Sequence, residues 1–396
     1  MEIYVRSGDS LWAYSQLFDV PLRLILDSNP GVEPTKLSVG QTIRIPGYVT
    51  SDYRIKSGDT YWKIALEKDI PVDMLFLVNP KVNPNQLQVG QIIQMPVRVT
   101  WSIVEGKKYY DYETMINDLN RLLDVYPFMR KRTIGASVMG KEIPELRIGK
   151  GSKRIHVNGS FHAQEWITTP VLMTFLDEYL RSLTNREAIR GRQTAPLYAE
   201  TMLSLVPMVN PDGVNLVIHG AESAGRYREH VLALNDGRED FSNWKANIRG
   251  VDLNNQFPAL WEEEAQTKPT APAPADYPGE VPLTEPEAMA MAELTREGDF
   301  ARVLAFHTQG EVIYWGYQGL EPPESRIIVE EFHRVSGYEP VRYIESYAGY
   351  KDWFIQDWRR PGFTVELGMG MNPLPLAQFD EIYEESLGIL LAGLYM

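Results

Sequence analysis

The sequence predicts an α/β protein in three parts: two small βααβ modules, then a three-layer domain around a central mixed sheet. Two observations carry that reading, a duplicated segment in the first hundred residues and an alternation of helical and strand patterns over the rest. Composition permits it. Of 396 residues, 44% are hydrophobic and 23% charged, which suits ordinary globular domains and rules out wholesale disorder. No apolar run reaches the length of a transmembrane helix. With no Cys, disulfides, Fe–S clusters, thiolate zinc sites and Cys nucleophiles are excluded. A net charge of −14 argues against nucleic acid or an anionic membrane as partner. Six His leave a small set for any imidazole metal site.

The duplication has one register. Ser7-Gly8-Asp9-Ser10 returns as Ser57-Gly58-Asp59-Thr60, Trp12 as Trp62, Asn29-Pro30 as Asn79-Pro80, and Val39-Gly40-Gln41 as Val89-Gly90-Gln91. Ile3–Arg6 and Arg54–Lys56 are expected as short entry strands, with Asp9 or Ser10 (Asp59 or Thr60) capping a first helix. A second helix over Leu22–Asp27 stops at Asn29-Pro30, where proline disfavours continuation. The run Leu-x-Val-Gly-Gln-x-Ile closes each module as a strand. Modules this small have little core, so Trp12 and Trp62 are expected as packing residues. The boundaries are 1–48 and 51–98, with polar Gly47–Asp52 as spacer.

This half resembles the LysM family, whose βααβ modules bind N-acetylglucosamine-containing glycans such as peptidoglycan or chitin. The recurring residues are mostly fold determinants, so the sugar-contacting ones are not legible.

From 103 to 396 the pattern is that of one larger domain. Tyr110–Tyr126 puts Met115, Ile116, Leu119, Leu122 and Leu123 on one helical face. Arg132–Ile148 reads as a hairpin turning at Met139-Gly140. Buried strands are expected at Arg154–Phe161, Met202–Val209, Arg302–Thr308 and Gly362–Leu367, and helices at Pro170–Leu183, Glu285–Glu297 and Pro375–Leu394. Lys268–Tyr277, rich in Pro and Ala, reads as an irregular surface insertion.

The sharpest chemical signal is His162-Ala163-Gln164-Glu165, just after one of those strands. A short loop there can aim an imidazole and a carboxylate at one cation, since sites in open α/β sheets gather at carboxyl ends of strands. His307 ends another apolar strand. Two His and one Glu leave a coordination position free, as in catalytic rather than structural zinc sites. Glu366, near the end of Gly362–Leu367, is costly to bury without a partner or a task, and a general base has such a task.

His162–Trp166, Asn210–Gly213, Gly250–Asn254, Phe306–Thr308 and Thr364–Leu367 occur in the order and context of the M14 zinc carboxypeptidase family, which the chain resembles from about 105 onward. The resemblance implies a zinc-carboxypeptidase-like fold and one Zn2+ held by His162, Glu165 and His307. It implies Glu366 as general acid/base and Asp252 as the carboxylate behind the first ligand histidine. Lys245 falls where the family carries a carbonyl-polarising arginine, and Arg249 could reach the same place; the sequence leaves both open.

One departure concerns specificity. Where the family follows the aspartate with Asn-Arg, this chain has Asn254-Asn255, so the bidentate clamp on a terminal carboxylate is missing. Both asparagines are candidate substrate contacts. With two LysM-like modules, the chain is similar to the wall-endopeptidase branch found in spore-forming bacilli. That implies cleavage of the γ-D-glutamyl–meso-diaminopimelate bond of peptidoglycan stem peptides, with the modules on wall glycan. Arg226, Arg228 and Lys351 are candidates for the substrate's acidic groups by charge alone. The alternatives are a metallocarboxypeptidase and a wall-binding protein without turnover. The N-terminus lacks the pattern of a signal peptide, so the expected location is the cytoplasm, including that of a sporulating cell or forespore, or the wall after release.

Overall fold

The computed structural model describes residues 1–396. The duplicated segment folds as β1 (Glu2–Tyr4), α1 (Leu11–Leu17), α2 (Leu22–Ser28) and β2 (Thr42–Arg44), then β3 (Tyr48–Arg54), α3 (Tyr61–Glu67), α4 (Val72–Val78) and β4 (Ile92–Arg98). Each copy closes an antiparallel pair, Ile3 opposite Ile43 and Tyr53 opposite Ile93. Of the two candidate caps the hydroxyls serve: Ser10 Oγ accepts from Ala13 N at 3.1 Å and Thr60 Oγ1 from Lys63 N at 3.2 Å. Asn29 and Asn79 staple helix to strand. Asn79 Nδ2 donates to Leu75 O and Gln94 O, and its Oδ1 accepts from Gln94 N; Asn29 does the same with Ile25 and Arg44.

Two expectations fail here. Trp12 and Trp62 are 63% and 72% exposed rather than packed. Leu11 and Tyr14, like Tyr61 and Ile64, take the inward face, and the residue one step along a helix lies roughly 100° round it. Nor is 47–52 a plain spacer, because β3 starts at Tyr48 and pairs with β4 along its whole length. Its polar residues are the solvent side of a two-stranded ladder, which composition alone reads as a linker.

The chain forms two compact units. The first holds Met1–Ile103, Asp118–Arg130 and Asp177–Pro196; the second holds Val104–Asn117, Lys131–Leu176 and Leu197–Met396. Within the first, Arg6 forks onto Asp73 of the other module at 2.7 and 2.8 Å. Arg98 donates to Phe18 O, Tyr48 Oη and Thr184 O.

The remaining elements are α5 (Tyr112–Val125), β5 (Arg130–Ala136), β6 (Glu142–Ile148), β7 (Lys153–Gly159), α6 (Thr168–Asn185), a short ladder of β8 (Ala188–Ile189) with β9 (Arg192–Gln193), α7 (Thr194–Glu200), β10 (Thr201–Val206), α8 (Pro211–His219) and α9 (Arg228–Leu234). After them come α10 (Trp261–Ala265), α11 (Pro286–Gly298), β11 (Arg302–Thr308), β12 (Val312–Tyr314), α12 (Glu324–Ser336), β13 (Glu339–Val341), α13 (Tyr350–Trp358), β14 (Gly362–Leu367) and α14 (Phe379–Tyr395). No helix is long and apolar enough to cross a membrane.

The second unit is built on an eight-stranded mixed sheet, ordered β13-β12-β14-β11-β7-β10-β6-β5. β14, β11, β7 and β10 run parallel; β6 is antiparallel to β10 and β12 to β14, and β13 runs parallel to β12. Every residue of β11 is buried, as a strand covered on both faces requires. Phe161, Phe257, Tyr350 and Trp353 pack in the core cluster that also takes Val303 and Ala305 from β11. Because β14, β11 and β7 are adjacent and parallel, Glu366, His307 and the His162 loop emerge at the same edge.

Candidate active site

The loop after β7 is set by hydroxyls. Ser160 N donates to Thr168 Oγ1 at 2.8 Å, and Thr168 Oγ1 donates to Glu165 O at 2.9 Å, folding Ala163–Glu165 into a single 3-10 turn. That turn brings Glu165 back onto His162. Asn210 ties the loop down from the side, its Nδ2 donating to Phe161 O and Ala246 O and its Oδ1 accepting from Gly213 N. A Cβ on Gly213 would lie 2.7 Å from the Asn210 side chain and 2.8 Å from Ala163 Cβ, so the Asn-Pro-Asp-Gly turn shapes the site, as its residues suggest.

Sequence-predicted residues meet here. Glu165 Oε1 lies 2.8 Å from His162 Nδ1, Glu165 Oε2 lies 2.9 Å from His307 Nδ1, and the two Nδ1 atoms are 3.2 Å apart. All three residues are buried, with ligand atoms within 4.8 Å of one another. Two imidazole nitrogens turned on each other across one carboxylate is an arrangement a cation satisfies and a hydrogen-bond network does not. The donor set therefore fits zinc, with two nitrogens and one oxygen. Behind it, Asp252 Oδ1 lies 3.2 Å from His162 Nε2, which fixes the ring and leaves Nδ1 for a metal.

Electrostatics follow from crowding. Burial alone lowers the His162 pKa, but Glu165 and Asp252 outweigh it and raise the ring to about 9. Burial raises Asp252, and Lys245 with His162 outweigh that and hold it well below the usual carboxylate range. Glu366, opposite His307 in the β11–β14 register, is pushed up by burial and then by the Glu165 carboxylate.

The structure separates the two cations left open by the sequence. Lys245 Nζ lies 2.9 Å from Asp252 Oδ2 and 2.7 Å from Asp276 Oδ1, and Lys245 O accepts from Ala163 N in the metal loop. Arg249 points elsewhere, its NH1 3.5 Å from Glu285 Oε2 and its side chain half exposed. The asparagines also divide. Asn254 Oδ1 accepts from Tyr350 N at the start of α13, a structural duty, whereas Asn255 is buried with Nδ2 3.5 Å from Asp276 O.

One feature escaped the sequence reading. The 268–277 stretch is irregular as expected, but it is no mere surface insertion. Pro274 O accepts from Lys245 N and Ala246 N, and Tyr277 O accepts from Asp252 N. Its only legible signal was an Asp-Tyr pair after the Pro/Ala run. The aromatic-rich run Tyr314–Tyr317, which by sequence suits either a substrate cleft or the core, reaches a cleft of about 600 Å³ lined by Gly316, Tyr317, Tyr343, Tyr347, Lys351 and Asp352. Lys351, read by charge alone as one of three candidates, is buried in its wall, with Nζ 2.5 Å from Asp352 Oδ1 and 3.0 Å from Gly316 O. Arg226 is exposed, and Arg228 is half-buried and paired with Glu222 and Glu229.

A family model described as zinc carboxypeptidase matches residues 115–387, and the LysM domain model matches 3–46 and 53–96. The chain belongs to the zinc carboxypeptidase family and carries two LysM domains; its cofactor is one zinc ion, for which His162, Glu165 and His307 form the candidate set. It is 65% identical over 396 residues, the full length of both chains, to gamma-D-glutamyl-L-diamino acid endopeptidase 1 of Lysinibacillus sphaericus. A 303-residue stretch is 50% identical to the uncharacterized protein YqgT of Bacillus subtilis, covering 76% of this chain and 81% of that one. Among solved structures, carboxypeptidase A from Helicoverpa armigera matches with a TM-score of 0.58 at 16% identity, over 88% of this chain and 97% of the other. That last likeness concerns the fold alone.

Proposed function

We propose that this chain is a γ-D-glutamyl-L-diamino acid endopeptidase that cuts peptidoglycan stem peptides between D-Glu and meso-diaminopimelate. The observation that carries the reading is the combination of a complete zinc-and-base constellation with Asn255 where a carboxypeptidase has its terminal-carboxylate clamp. Full-length similarity to the Lysinibacillus enzyme supports it.

His162, Glu165 and His307 would hold the zinc ion, which when bound supplies a Lewis acid and lowers the pKa of water. Glu366 takes the proton from the attacking water and delivers it to the leaving amine. Lys245 donates to the oxygen of the scissile carbonyl as charge gathers there. Asp252 keeps His162 in the tautomer that presents Nδ1. In the cleft lined by Gly316, Tyr317 and Tyr347, the Lys351–Asp352 pair suits the far end of diaminopimelate, which carries both a carboxylate and an ammonium.

The LysM domains would place this site on wall material, by raising its local concentration. In the second domain a cleft of about 430 Å³ is lined by Asp59, Thr60, Trp62, Phe76, Pro84 and Leu87, and an exposed indole beside backbone and carboxylate acceptors suits the face of an N-acetylated sugar.

The test is L-Ala-γ-D-Glu-meso-diaminopimelate-D-Ala incubated with zinc-loaded protein, with products read by mass spectrometry. Release of L-Ala-D-Glu is expected, and its rate should fall about 100-fold or more in Glu366→Gln with zinc still bound. Loss of D-Ala alone would mean a carboxypeptidase, and no cleavage would mean a wall-binding protein.

A further inference from the structure

Lys245 presents a physical difficulty. Lysine's ammonium is a point charge on a flexible stem with three rotatable donors, so by itself it aims at nothing in particular. A donor misplaced by about 1 Å can cost about 100-fold in rate. Here the ammonium is gripped twice, by Asp252 Oδ2 at 2.9 Å and Asp276 Oδ1 at 2.7 Å. It donates a hydrogen bond to Asp276 Oδ1 and stands in an ion pair with Asp252 Oδ2, so two carboxylates fix its place and donor capacity is left over.

The two carboxylates differ in kind. Asp252 is wholly buried and shared with His162, so it belongs to the metal site. Asp276 has no contact with a candidate metal ligand among its hydrogen bonds and ion pairs, and its side chain is 45% exposed. It sits at φ 65°, a left-handed conformation that Asp tolerates better than most residues. That conformation is held by a lattice of backbone bonds: Ala273 N to Gly250 O at 3.0 Å, Lys245 N to Pro274 O at 2.8 Å, and Asp252 N to Tyr277 O at 2.7 Å. The segment from 273 to 277 is thus laced to 245–252, the stretch it serves. An accidental surface ion pair has no such support. Because Asp276 faces water, solvent screens its charge, and the ammonium keeps most of its field on the side turned to the substrate.

We propose that Asp276 is a positioning residue for catalysis: by its hydrogen bond, together with the ion pair to Asp252, it fixes the Lys245 ammonium so that a remaining N–H is directed at the scissile carbonyl oxygen. This rests on the reading of Lys245 as the oxyanion donor. A second anchor is what lets a lysine stand where a planar, pre-organised guanidinium stands in the family pattern.

The test is a cycle of Lys245→Ala, Asp276→Ala and the double variant, with kcat and KM measured separately on the γ-D-glutamyl stem peptide and zinc content and thermal melts measured alongside. Acting through Lys245, Asp276→Ala should lower kcat about 10- to 100-fold with KM changed less than about threefold. The double variant should be no slower than Lys245→Ala. Asp276→Asn, whose amide oxygen still accepts from Nζ, should recover most of the rate, and it serves if the alanine variant folds poorly. Multiplicative losses in the double variant would overturn the proposal, because Asp276 would then act apart from Lys245. So would a rise in KM alone, which would make Asp276 a substrate contact. Full kcat in Lys245→Ala would remove the reading on which the proposal rests, an outcome distinct from an impaired Lys245→Ala whose loss adds to that of Asp276.

Discussion

Replacing Lys351 with Met isolates one charge in the cleft proposed to take diaminopimelate. The thioether nearly matches the length of the lysine stem, so the wall of the cleft keeps its shape while the ammonium disappears. In the native protein that ammonium lies 2.5 Å from Asp352 Oδ1 and 3.0 Å from Gly316 O, and it is 4% exposed. A hydrogen bond to a charged group in such a place contributes about 1.5–3 kcal/mol. At about 1.4 kcal/mol per tenfold, the variant should lose roughly 10- to 150-fold in kcat/KM on a stem peptide with meso-diaminopimelate. A stem with L-lysine at the same position has no distal carboxylate, so its kcat/KM should change by less than about threefold. Asp352 left without its cation does not doom the fold: burial already raises its pKa, with Lys351 only partly offsetting that, so it takes up a proton. The assay is steady-state cleavage of the two tripeptides by one zinc-loaded preparation. Equal losses on both substrates would refute the reasoning, since the pair would then be structural, and so would no loss on either.

Asp252→Asn should weaken zinc binding about 10- to 100-fold, by competition with a chromophoric chelator, because the ring of His162 loses the anion that orients it. A change under about threefold in folded protein would remove Asp252 from the metal site. Asn79→Ala strips two side-chain hydrogen bonds to Gln94 of β4 and one back to Leu75 of α4, and leaves the Gln94 amide unpaired, so the second LysM domain should lose about 1–3 kcal/mol in denaturant melts. Glu287 is buried and accepts from Val138 N, and burial raises its pKa to about 7. A carboxyl with a raised folded pKa contributes stability that is fully present below its unfolded value and lost as pH rises through the folded one. Melting temperature should therefore fall between about pH 4.5 and 7. Glu287→Gln should flatten that slope; an unchanged slope would place the titration elsewhere.

The strands that carry the site were legible because β7, β11 and β14 are apolar runs with a chemical residue at or just past the carboxyl end. His307 closes a strand whose every residue is buried, and Glu366 stands opposite it in the next. Position in a run does not say which way a short helix turns, and there the reading of Trp12 and Trp62 failed. Both are large apolar residues in modules with little core, yet Leu11 and Tyr61 hold the inward positions beside them.

Asp276 was invisible for a different reason. Its partner Lys245 lies 31 positions away, and nothing periodic links them. An irregular segment shows no pattern when its order comes from backbone bonds to another segment, because those bonds place no demand on side-chain type. Pro272 and Pro274 suit such a strap, since they give up N–H groups while their carbonyls stay available, and Pro274 O is the one that receives both Lys245 N and Ala246 N. The same argument sets apart the zinc set, which had to be legible. A metal dictates the chemistry of its ligands, so His162, Glu165 and His307 carry their function in their identity, whereas a residue that aims another carries its function in geometry alone.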